Sequence, residues 1–378
     1  MKITDVRTVQ LSGSSTCIRI DTDEGVRGYG EASVETSPES VIATVHRIAK
    51  YYLIGQHPSP IELHRKRLQD AFWYHEGVNV NSAMSGIEQA LLDIKGKVLG
   101  VPVYELLGGP VRDRVRVYKW IGARTRENLG EQALQLVAQG ITAIKFSPTP
   151  ESPSPYPRCV AETVRIVQEV RDAVGPKIDI MLDPAGRWKL AEAKHVLKEL
   201  EPFAPLFAED FISPYYIPAV EKLSASTTIP YAMGDRFFRF RQFEEILQRD
   251  AVAVLQPDIC HAGGLFELKL IAGAAEHHGI RVAPHNPHSP IATAAAVHVD
   301  LATPNFLIQE IAGTDFFHAW DLRDHMDIEI LEIKDGHIVA PTRPGLGVSI
   351  SDELFDHPPQ VPDAPFFVDT RDFHAPEW

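Results

Sequence analysis

The sequence predicts an α/β protein built as a (β/α) barrel, preceded by a smaller mixed domain. Two observations carry this. Five residues capable of chemistry, Asp183, Glu209, Asp235, Asp258 and His285, are spaced 26, 26, 23 and 27 residues apart. Each follows a short apolar run such as Ile180-Met181-Leu182 or Leu206-Phe207-Ala208. That interval accommodates one strand, one helix and two loops, and a polar residue at every strand end is how barrel sites are built. Second, the first 110 or so residues lack the beat and read as strands followed by helices.

In chain order, Ile3 to Leu11 and Cys17 to Asp21 alternate apolar and polar, as half-buried strands do. Asp23-Glu24-Gly25 signals a hairpin and Val26 to Glu31 returns as a third strand. Helices are expected over Ser37–Leu53, from Ile61, and over Ser82–Leu99, with Pro38 and Glu39 suiting the first turn of the first. The aromatic and polar stretch Phe72 to Asn79, which has no period, reads as a core plug or a substrate lid. The barrel starts at Val115, takes Ile141–Phe146 as its second strand, and ends with helix Pro290–Leu301 and strand Phe306–Glu310. Beyond it, Asp327–Ile333 and His337–Ala340 around Asp335-Gly336 read as a hairpin, followed by a Pro- and Asp-rich surface arm. The expected division is 1–112, with 326–378 packing back on it, and 113–325 for the barrel.

The 378 residues leave room for one barrel and a smaller partner domain. A net charge of −14 argues against nucleic acid as a partner. No apolar run is long enough to span a membrane and the N-terminus reads directly into a strand, with no signal peptide. Cys17, Cys159 and Cys260 are odd in number and widely separated, which fits a reducing cytoplasm and not a disulfide framework.

Three carboxylates, Asp183, Glu209 and Asp235, at successive strand ends would repel one another and rise in pKa unless a cation joined them. All-oxygen ligation suits Mg²⁺ or Mn²⁺ and disfavours zinc. Asp258 and His285 fall on the next two strand ends, where a carboxylate fixes the imidazole tautomer and raises its basicity. Lys145, near the end of its strand, should point into the mouth, where burial would lower its pKa. Together these groups suit removal of a proton beside a carboxylate, with the cation stabilising the enediolate.

The segment Ser85 to Lys97, the Leu106-Leu107-Gly108-Gly109 run, Trp120-Ile121-Gly122, Gly234-Asp235, Gln256-Pro257-Asp258, Pro284-His285 and Glu310 resemble the enolase superfamily, mandelate racemase subgroup, in its galactonate dehydratase branch. The resemblance implies a (β/α)7β TIM-like barrel, an N-terminal α+β capping domain completed by the C-terminal segment, and Mg²⁺ held by Asp183, Glu209 and Asp235. It also implies α-proton abstraction from an acid sugar, then loss of the β-hydroxyl to give a 2-keto-3-deoxy acid. His285 is then the base, Asp258 its partner, and Glu310 a hydrogen-bond donor to the substrate carboxylate. Ala185 stands where that branch has a His, and Asp235 where a Glu is usual. The acid could then come from His285 itself, Lys145, Tyr74 or His75. Trp73, Tyr74, Arg187, Arg236 and His318 are candidate substrate contacts, and a homo-oligomer is expected. An epimerase or cycloisomerase using Lys145 and His285 on opposite faces, and a catalytically silent sugar-acid-binding barrel, are the alternatives.

Overall fold

A computed structural model describes the chain except for residues 13, 36, 73–76, 123–126, 151–155, 157, 313–323, 330–331 and 362–378. The expected contacts Trp73, Tyr74 and His318, the acid candidate His75 and the C-terminal arm lie outside the described residues.

The first domain opens with an antiparallel sheet, β1 (Ile3–Gln10), β2 (Thr16–Thr22) and β3 (Arg27–Glu31), in that order. Helix α1 (Pro38–Ile48) runs on as a wider π turn over Ala49–Leu53; α3 (Val78–Leu99) covers the sheet, and α2 (Ile61–Ala71) packs on α3 and the π turn. Helix α3 starts before the expected Ser82, from Gly77 at φ 144°. The lid-like composition hid this first turn, whose Val78 and Val80 pack on the core. Sheet and helix approach so closely that a Cβ on Gly28 would meet the Ala90 carbonyl oxygen at 2.1 Å, so only glycine fits. At the end of β3 the buried Glu31 reaches across to the barrel. It accepts from Ser33 Oγ (2.8 Å) and, at the start of the barrel helix Pro290–Leu301, from Ser289 Oγ and the Ala292 amide (3.1 Å).

After a short helix α4 (Val103–Leu106), strand and helix alternate: β4 (Arg114–Ile121), α5 (Leu129–Ala138), β5 (Ala143–Phe146), α6 (Arg158–Val174), β6 (Asp179–Leu182), α7 (Leu190–Leu200), β7 (Phe207–Glu209), α8 (Ile217–Ser224), β8 (Tyr231–Met233), α9 (Arg239–Gln248), β9 (Val254–Leu255), α10 (Leu265–His277), β10 (Arg281–Val282), α11 (Pro290–Leu301) and β11 (Gln309–Ile311). The strands pair in parallel from β4 to β10, and β11 pairs with β4. Val282 bridges Phe306 just before β11, which closes the ring. Each of the eight staves sends one buried side chain to the centre: Tyr118, Ala143, Met181, Phe207, Ala232, Val254, Ala283 and Ile308. Large and small residues interleave, so the barrel is a packed core and not a pore.

The C-terminal hairpin does not form as the sequence suggested. Asp335 and Gly336 do make the turn, both at positive φ, and Lys334 and His337 exchange hydrogen bonds. The arms then part: β12 (Met326–Ile328) pairs with β14 (Val348–Ile350), while β13 (His337–Val339) adds to the outside of β4. Each arm pairs with a strand distant in sequence instead of with the other. Helix α12 (Asp352–Asp356) follows β14, and Asp352 takes Arg19 and Arg27 of the first domain, each at 2.8 Å.

Candidate active site

The expected residues meet at one end of the barrel, in two groups. The first is a set of carboxylates around an ammonium. Lys145, third residue of β5, is 1% exposed. Its Nζ lies 2.8 Å from Glu209 Oε2, 3.1 Å from Glu310 Oε1 and 3.8 Å from Asp183 Oδ2, over the rings of Tyr118 and Trp120. The expected lowering of its pKa is overturned. Burial pulls it down, but Glu209 and Glu310 outweigh burial and hold it well above the ordinary lysine range. Glu310 departs from expectation as well. Burial would raise it, yet Lys145 and then His285 keep it below its usual value. An ionised carboxylate accepts and cannot donate.

Asp183 follows β6 directly and accepts the Ala185 amide at 2.7 Å; Ala185 itself sits at φ 55°. Burial, opposed by Lys145 and reinforced by Asp235, raises Asp183. Burial, opposed by Lys145 and reinforced by Asp183, carries Glu209 up to about 8. Glu209 Oε2 also receives Gln256 Nε2 at 2.8 Å. Asp235 is turned into the group by Gly234 at φ 145°, where a Cβ would meet the Gln256 amide nitrogen at 2.8 Å. Arg236 Nε lies 3.7 Å from Asp235 Oδ2 and 3.5 Å from Asp210 Oδ2. Arg187 is exposed, its backbone bridging Ile212.

Asp210 is a fourth carboxylate that sequence reasoning missed. It is 2% exposed and neither of its oxygens has a hydrogen-bond partner. Burial and then Asp235 raise it well above the carboxylate range, against Arg236. Strand alternation would send the residue after Glu209 away from the mouth; a φ of 41° instead brings it back. Asp235 Oδ1 is buried without a partner too. Buried, all-oxygen donors left without hydrogen-bond partners among the described residues are the chemistry that a hard divalent cation satisfies. The oxygens of Asp183, Glu209 and Asp235 do not all come within 4.8 Å of one another, and the Lys145 ammonium stands among them.

The second group is a network of imidazoles. His285 Nδ1 lies 2.6 Å from Asp258 Oδ2, and the two residues are paired as a parallel bridge between the extensions of β9 and β10. Asp258 Oδ1 accepts the amides of Cys260 (2.6 Å) and His261 (2.9 Å). Burial would lower His285, but the charge of Glu310, then the bond to Asp258, raise it to about 9. Its Nε2 faces Glu310 Oε2 at 3.8 Å. His288 Nε2 also bonds Asp258 Oδ2, at 2.9 Å. His261 joins Ser82 Oγ (2.8 Å) to Glu35 Oε1 (2.9 Å) on the first domain. His288, His261 and Glu35 were not foreseen; the repeat of His at 285 and 288 was the available signal.

Residues 3–108 match the model of the mandelate racemase / muconate lactonizing enzyme N-terminal domain, and 128–354 match the enolase C-terminal domain-like model. The chain belongs to this enolase superfamily. It is 40% identical over 357 residues to a D-galactonate dehydratase of Xanthomonas euvesicatoria pv. vesicatoria, covering 94% of this chain and 93% of the relative. It is 38% identical to one of Variovorax paradoxus, covering 96% and 95%. Among solved structures, the mandelate racemase/muconate lactonizing enzyme of Jannaschia sp. CCS1 superposes with a TM-score of 0.86 at 30% identity, covering 96% of this chain and 99% of that one. An enolase from Agrobacterium radiobacter, solved with Na and L-malate bound, gives 0.85 at 27% identity, covering 96% of each. These enolase superfamily neighbours have the fold expected from the sequence, a barrel with a separate N-terminal domain.

Proposed function

We propose that the protein dehydrates an acid sugar, taking the proton α to the carboxylate and releasing the β-hydroxyl to give a 2-keto-3-deoxy acid. The observation that carries this is the placement of His285. Asp258 holds its Nδ1–H, so Nε2 is the basic atom, and it faces the carboxylate group from one side. The D-galactonate dehydratases that the chain resembles support the substrate class.

In this reading Asp183, Glu209 and Asp235 would hold Mg²⁺, or Mn²⁺, with Asp210 as a further buried carboxylate of the group. The ion supplies charge stabilisation for the enediolate, worth several kcal/mol. His285 Nε2 accepts the α-proton, and the electron pair passes into the substrate carboxylate. When the pair returns, the β C–O bond breaks and the departing oxygen needs a proton. Ala185 cannot give one. His285 now can, on the same face, and Lys145 can as well. Glu310 keeps Lys145 in place and accepts from it. Arg236, paired with Asp210 and Asp235, is the described candidate for a substrate contact. Epimerisation is the weaker reading: it needs a lone pair on Lys145, which here is committed to Glu209 and Glu310. A cytoplasmic, self-associating protein remains part of the proposal, supported by three buried free cysteines and the exposed Tyr215 and Tyr216.

A panel of acid sugars in D2O with Mg²⁺ tests it. Keto acid, trapped with semicarbazide, is the expected product. Deuterated epimer without keto acid overturns dehydration in favour of epimerisation; no exchange and no product across the panel overturns both.

A further inference from the structure

The carboxylate that orients the base serves two imidazoles through one oxygen. Asp258 Oδ2 receives His285 Nδ1 at 2.6 Å and His288 Nε2 at 2.9 Å. His288 is fully buried, and its ring stands 6.3 Å from that of His285 at 85°. It has no part in the steps proposed above. Asp258 is its one strong partner: among the described residues the other ring nitrogen, Nδ1, has no hydrogen-bond partner beyond the weak thiol of Cys260.

The charged and titratable neighbours of the pair decide where a proton rests. From the loop between β9 and α10 come Asp258, Cys260 and His261; a ring nitrogen of His288 lies within 4.8 Å of Cys260 Sγ. From the first domain come Glu31, already taken by Ser33, Ser289 and Ala292, and Glu35, paired with His261 at 2.9 Å. Glu310, on β11, faces His285 at 3.8 Å, and the charge of Asp235 reaches it from beyond β8. Glu31 and Glu35 each bring an oxygen within 4.8 Å of a His288 ring nitrogen but are bonded elsewhere, so among the described residues Asp258 is the carboxylate bonded to both His285 and His288. A carboxylate draws a lone imidazole towards its cation, and an imidazolium cannot take a proton. Two imidazoles on one oxygen compete, and only one need be charged.

We propose that His288 is a positioning residue for the base: as a second donor and cation on Asp258 Oδ2 it competes with His285 for that charge, so that Nε2 of the oriented His285 opens at a lower pH than Asp258 and Glu310 alone would set. Supporting this, burial opposes charge on His288, yet Asp258 raises it well above the histidine range. The proposal rests on His285 being the base of the reaction above, but its test does not need that reaction.

The test uses the full chain, labelled at histidine, with His288→Gln and His288→Leu. NMR follows the titration of His285 without substrate. Removing a cation about 6 Å away should move the His285 midpoint upward by about one pH unit in both variants. The acid limb of kcat/KM should move the same way, since the base must be deprotonated to act. Should His288→Leu not fold, His288→Gln decides, because it keeps a hydrogen-bond donor and loses only the charge. An unmoved midpoint in a folded His288→Gln overturns the proposal, as does a limb that stays while kcat falls equally at every pH. A moved midpoint with no acid sugar dehydrated leaves this inference standing and removes the proposed function.

Discussion

The two halves of the site solve the same problem differently. On the carboxylate side, Asp183, Glu209, Asp210 and Asp235 are gathered; Asp210 accepts no hydrogen bond, and among the described residues Lys145 and Arg236 are the cations that stand against them. On the imidazole side, Asp258 is equally buried but receives four donors, and its pKa falls well below the usual range despite burial, through His261 and His288. One side is short of positive charge and the other is not. On the proposed reading, a region that receives a cation is left electrostatically unfinished by its own residues, whereas a region that moves a proton carries its counter-charges with it.

Removing the proton-carrying atom separates the two sides most. His285→Asn should lower α-proton exchange by about 10²–10⁴-fold, with divalent-metal affinity by calorimetry unchanged. A parallel loss of metal affinity would merge the two halves into one unit. Asp258→Asn should destabilise the fold by about 3 kcal/mol in denaturant unfolding, since it leaves two imidazoles and two amides on a weaker acceptor. Asp183→Asn should weaken Mg²⁺ binding by at least roughly 10–100-fold, the loss typical of even outer-sphere changes. The same chemical change at Asp210 should have the opposite sign to that at Asp258. Without metal, Asp210→Asn relieves repulsion and should raise the melting temperature by about 2 °C, read by calorimetry. The smallest effect concerns Glu35, where His261 overcomes burial and holds the carboxyl at about 2. A depressed folded value contributes stability above the ordinary glutamate pKa, lost as pH falls towards 2. Glu35→Gln should flatten that acid slope in pH-dependent unfolding.

The barrel was legible because its repeat is physical: each turn of strand and helix needs a similar length, so chemical residues recur at a steady interval. The meeting of His285 with Asp258 followed from adjacent strand ends. Asp210 was not legible, because its place depends on one left-handed residue that no local pattern announces. His288 was hidden for another reason: its partner Asp258 already had an assigned companion, and nothing in spacing says that an oxygen can be shared. The misjudged C-terminal hairpin shows a third limit. Turn chemistry at Asp335-Gly336 fixes a reversal, but which edge each arm then joins depends on distant strands, β4 and β14.

Glu31 has a mechanical consequence. By gripping Ser289 and Ala292 it rivets the last strand of the opening sheet to the loop bearing His285 and His288. Those parts must travel together, so any gate admitting substrate has to hinge elsewhere along the rim.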